Sequence, residues 1–79
     1  MLTDAQKAAI RLLIRDNPDP RYMAHLANDD TFAIKEIGEY KDKMLPAFQQ
    51  RLQSEQAELQ HLQDKMIVTQ ADIQILQGV

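Results

Sequence analysis

LPAFQQRLQSEQAELQHLQDKMIVTQADIQIL, residues 45–76, is the stretch on which the fold turns. With Leu45 at position a of a heptad, the a column runs Leu45, Leu52, Leu59, Met66 and Ile73, and the d column Phe48, Glu55, Leu62, Thr69 and Leu76. Eight of these ten positions are apolar and keep one register over more than four heptads. Apolar residues recurring every 3.5 positions fall on one stripe of a helix, which predicts a long amphipathic coiled-coil helix. At about 1.5 Å per residue such an arm is roughly 48 Å long, whereas the first helix of the chain offers only about 20 Å. Most of the seam therefore needs a partner, either a second copy or a foreign helix.

The flanks of the seam indicate how copies would pair. Position e is glutamine throughout (Gln49, Gln56, Gln63, Gln70, Gln77), and position g alternates in sign as Arg51, Glu58, Lys65, Asp72. A parallel pair would set g against e without charge pairing and stack Glu55 on its own copy. An antiparallel pair centred between Gln60 and His61 sets Leu45 opposite Leu76, Phe48 opposite Ile73 and Leu59 opposite Leu62. The same register pairs Arg51 with Asp72 and Glu58 with Lys65. Exposed ion pairs add only about 0.2–1 kcal/mol each, but matched signs select orientation. The expected interface is thus Leu45, Phe48, Leu52, Leu59, Leu62, Met66, Ile73 and Leu76 in an antiparallel dimer, oriented by Arg51, Glu58, Lys65 and Asp72. Ile67, Val68 and Ile75 lie off the seam, and they suit either a head domain or a third helix or groove of another protein.

Working outward, residues 1–43 form a helical head and 44–79 the arm. Thr3 and Gln6 have the spacing of a capping box, and Ala5, Ala9, Ile10, Leu13 and Ile14 then recur at helical intervals over about 4–16. Asn17-Pro18 ends that helix, because a residue before proline is pushed out of the helical region. Asp19-Pro20 starts a second over about 20–28, with Tyr22, Met23 and Leu26 inward and Asn28 closing it in the left-handed conformation. Asp29 or Asp30 caps a third that carries Phe32, Ile34, Ile37, Tyr40 and Met44, weakened at Gly38 by about 1 kcal/mol. Inside a helix Pro46 would cost about 3 kcal/mol, so a break or kink is expected at 44–46. The fold class is all-α, a head of two to three short helices followed by the arm.

Composition narrows the function. The chain has 79 residues, no cysteine, 9 Lys plus Arg against 12 Asp plus Glu, and a net charge of −3. Thiolate metal sites and disulfides are excluded. The opening residues lack the basic and apolar regions of an export signal, and nothing approaches the roughly 18 apolar residues of a membrane span. An acidic chain gains little from counterion release, which argues against nucleic acid. No catalytic, cofactor-binding or metal-binding residues are assigned. Glu58 and His61 have Glu-x-x-His spacing, but both point off the seam; His25 has no second histidine beside it; Ser54 is the only serine; and Asp16, Asp19, Asp29 and Asp30 read as caps rather than a calcium loop. A helix-turn-helix regulator with a dimerising arm is the alternative. Its reading helix, Thr31–Met44, would however mix Glu36, Glu39 and Asp42 with Lys35, Lys41 and Lys43 into a neutral face.

Leu2-Thr3-Asp4-Ala5-Gln6, Ile10, Ile14, Asp16-Asn17-Pro18 and Ala27-Asn28-Asp29-Asp30, about the first third of the chain, resemble the opening of many small phage and prophage proteins. Phe48-Gln49-Gln50-Arg51-Leu52, Glu55, Glu58-Leu59 and Leu62 are similar to the first helix of a phage helical-hairpin family, some members of which sequester cyclic-nucleotide defence signals. Too few residues follow Leu62 to supply that family's second helix, so no ligand residues are carried over. The expectation is a non-enzymatic, cofactor-free interaction or structural protein of phage origin, in the host cytoplasm or the virion. It would pair with itself or another protein through the arm; sequestration of a cyclic nucleotide is a further alternative.

Overall fold

The computed structural model describes residues 1–58 and 63–79. Among them it holds four helices and no strand: α1 Asp4–Asp16, α2 Pro20–Asn28, α3 Asp30–Glu58 and α4 Gln63–Gln77. The all-α class follows.

The first three starts are set by local chemistry. The Thr3 hydroxyl accepts from the Gln6 amide at 3.1 Å while the Thr3 amide donates to Gln6 Oε1 at 2.9 Å, a complete capping box. Asp19 accepts from the Arg21 amide at 2.8 Å, with Pro20 in the first turn of α2. Asp29 both ends α2 and begins α3. It adopts extended backbone rather than passing the turn to a left-handed Asn28, which remains helical, and its carboxylate accepts from the Phe32 amide at 3.1 Å.

The expected break at 44–46 does not occur. Helix α3 runs through Pro46 and across the head–arm boundary between 43 and 44. Pro46 removes one amide donor, which leaves the Asp42 carbonyl without its helical partner. Both residues are exposed, so water can serve that acceptor. Packing on either side outweighs the loss: Ala33 and Ile37 are buried before the proline, and Phe48 after it.

Two hydrophobic clusters form the core. Ala9, Leu13, Leu26, Ala33 and Ile37 join α1, α2 and the first half of α3. Leu12, Phe48, Ile73 and Leu76 join α1, the second half of α3 and α4. Adjacent leucines of α1 thus serve different clusters, and Tyr40 and Ile75 pack against both.

Helices α3 and α4 lie side by side in opposite directions. Lys41 Nζ donates to the Val79 carbonyl at 2.7 Å, Phe48 packs with Ile73 and Leu76, and Arg51 and Glu55 share a groove with Asp64, Lys65, Val68 and Thr69. Later residues of α3 therefore meet earlier ones of α4. The arm is not a single outward-facing helix, and α4 supplies a second helix alongside the stretch that begins at Phe48.

Candidate interaction surface on α3 and α4

The predicted seam is brought together within the chain. Phe48, Ile73 and Leu76 are buried in the second cluster, and Leu45 and Leu52 pack against it half-buried. Met66 is half-buried. Leu59 and Leu62, expected to face one another at the centre, lie outside the described residues, as does His61 of the Glu-x-x-His spacing. An antiparallel dimer and an antiparallel pair within one chain use the same facing columns. The pattern therefore fixes which faces meet while leaving the owner of the second helix open.

The charges meet differently from the expected pairing. Asp72, 5% exposed, does not bind Arg51. Its Oδ2 accepts from Arg15 Nη1 of α1 at 2.9 Å. Arg15 Nε also reaches Asp16 Oδ1 at 3.2 Å, and Asp16 in turn accepts a hydrogen bond from the Tyr40 hydroxyl. Burial works against the charge on Arg15, but the hydrogen bonds to Asp72 and Asp16 more than offset it and hold the guanidinium more firmly protonated than usual. Sequence reading missed Arg15 and Leu12 as docking residues because it assigned α1 to the head alone. The Leu12-Leu13 doublet was the available signal, since neighbouring helical positions cannot share one face. Arg51 stands 4.9 Å over the Phe48 ring, and Glu58 and Lys65 are exposed.

Both tyrosines are held neutral. Burial, then the hydrogen bond to Glu36 and the charges of Glu36 and Glu39, push the Tyr22 phenol up to about 12. Burial, then Asp16, likewise hold Tyr40 well above its usual value. At pH 10 a free phenol is about half ionised. The folded chain is expected to show almost no phenolate absorbance at 295 nm at that pH, and the urea-unfolded chain about half. Equal absorbance in the two states would contradict the packing of both rings. Because the folded values are raised, this contribution to stability is complete below pH 10 and declines as pH rises through about 12 for Tyr22.

Two features of the α3–α4 pair are not explained by packing within the chain. The first is Glu55, 5% exposed at a d position, whose Oε1 is buried without a hydrogen-bond partner among the described residues. It lines a groove of about 620 Å³ together with Arg51, Asp64, Lys65, Val68 and Thr69. The second is the outer side of α4, where Ile67 and Val68 are 60% and 54% exposed. Ile75, the third off-seam residue, turns inward onto the core, so the two readings of those residues divide between them.

Nothing else among the described residues offers a catalytic or metal constellation. No group of three or more His, Asp or Glu side chains is placed to hold a metal ion. The His25 ring stacks on Phe32 at 3.7 Å between centroids, with Nε2 3.6 Å from Asp29 Oδ2, and Ser54 is exposed. No helix of the described residues is long and apolar enough to cross a membrane. Compared with known protein families, curated proteins and solved structures, the chain matches none.

Proposed function

We propose that this chain is a non-enzymatic interaction protein that self-associates or docks through its α3–α4 pair, a seam of coiled-coil character. The observation that carries the reading is the adjacent pair Ile67 and Val68, more than half exposed on α4 in a chain of net charge −3. Two β-branched aliphatic side chains held side by side in water lower the free energy when another surface covers them. The resemblance of Leu2–Gln6 and of the stretch from Phe48 supports a phage origin, with action in the host cytoplasm or as a virion component. A chain that binds without chemistry fits either setting.

Light scattering after size exclusion tests the reading. A mass of twice 9.1 kDa, lowered when Ile67 and Val68 are both changed to Asp without loss of helicity, supports it. A wild-type mass of 9.1 kDa at every concentration into the millimolar range, together with no change in solubility or stability in the double variant, overturns it.

A further inference from the structure

The α3–α4 packing is one that a second copy can supply as well as the chain itself, and we propose that two copies exchange α4. Each α4 would leave its own α3 and occupy the same place on the partner's, in an antiparallel dimer. The inference rests on the self-association half of the reading above and deepens it by naming the partner and the surface.

Three observations carry the proposal. First, the two described helices are in phase. Leu52 and Glu55 on α3 occupy positions a and d, and Met66 and Thr69 on α4 occupy the same positions two heptads later. A chain whose α3 and α4 lay in one line would thus present one uninterrupted seam of more than four heptads. Second, the residues between the helices in sequence, Leu59-Gln60-His61-Leu62, include no glycine, proline, asparagine or aspartate. Chain reversal between helices usually employs such residues, whereas leucine and glutamine are good helix formers and continue the a and d columns. Third, the contacts α4 makes with the described residues are symmetric to exchange. Packing of Ile73 and Leu76 against Leu12 and Phe48, the Arg15–Asp72 ion pair and the Lys41–Val79 hydrogen bond can all form between chains with the same geometry. Because these contacts are equal in both arrangements, they cancel. The balance is then shifted by concentration, which is the usual condition for domain swapping.

The exchange differs from contact through Ile67 and Val68 in one measurable respect. In an exchanged dimer the α3–α4 seam is between chains, and in a dimer joined through the outer face of α4 it stays within each chain. The native sequence has no cysteine, so Leu52→Cys with Thr69→Cys, an a and a d position that face one another in the antiparallel register, gives each chain one thiol on either side of the seam. The dimer fraction from size exclusion is oxidised and run on a denaturing, non-reducing gel. A covalent dimer is the expected result. A dimer in solution that runs as a covalent monomer overturns the exchange while leaving self-association through α4 standing, and a chain that is monomeric throughout overturns both. A second variant avoids altering the seam: Gln60→Asn with His61→Gly supplies turn-forming residues and is expected to weaken dimerisation at least tenfold. An unchanged dimer mass in that variant would also overturn the exchange.

Discussion

Replacing Phe48 by alanine is expected to cost about 3–5 kcal/mol and to unfold a large share of the molecules at 37 °C. Phe48 is 1% exposed, and its ring is enclosed by Leu12, Ile73 and Leu76 with Tyr40 edge-on at 6.3 Å and Arg51 over one face. The loss combines the transfer free energy of the ring with the cavity left behind, and Phe→Ala changes in cores fall in that range. Small domains have little reserve, because a short chain buries a smaller fraction of its surface. At about 4 °C or more per kcal/mol for a domain of this size, the melting temperature should fall by at least about 12 °C. Urea unfolding followed by circular dichroism measures it. A cost below about 1 kcal/mol would mean that α4 does not cover this ring, and the antiparallel pair would be wrong.

The opposite sign is expected at Glu55. A buried carboxylate oxygen without a hydrogen-bond partner among the described residues is a destabilising feature, since burying a polar atom costs free energy that no hydrogen bond returns. Glu55→Leu restores the apolar d position of the heptad and should raise stability by about 1–2 kcal/mol in the same urea experiment. Glu55→Gln separates charge from shape. It keeps a polar group in the same place and should recover less than half of the gain. Loss of stability in the leucine variant would show that the carboxylate has a favourable partner. Stability gained by removing a polar side chain is the pattern found where a residue serves specificity or binding rather than folding.

The helical class, the capping box at Thr3 and the Asp19-Pro20 start are all legible in the residues, because each rests on local hydrogen bonding or on side-chain period. What was not legible depends on long-range competition. Proline rules place a break at Pro46, but buried side chains on both sides hold the helix, and local propensity contains no such information. Heptad pattern finds the faces of α3 and α4 that meet but cannot distinguish one chain from two. The g-position charges suggested Arg51 with Asp72. Helix α1 instead brings Arg15 to Asp72, and no spacing rule connects residues 57 apart in sequence. The exposed Ile67 and Val68 were visible as off-seam residues, but Ile75 looked equivalent to them, and only the course of α1 and α3 turns it inward.

The passage of α3 through Pro46 also determines how the molecule comes apart. One helix supplies Ala33 and Ile37 to the first cluster and Phe48 to the second, and α1 bridges them again through Leu13 and Leu12. Separating the head from the α3–α4 pair therefore means lifting α1 off both clusters at once. The two clusters are thus expected to be coupled, with the amides of Ile37 and Phe48 exchanging with solvent at similar free energies, which native-state hydrogen exchange measures. Any partner that grips α4 stabilises the α2 end of the molecule by the same amount, although it touches nothing there.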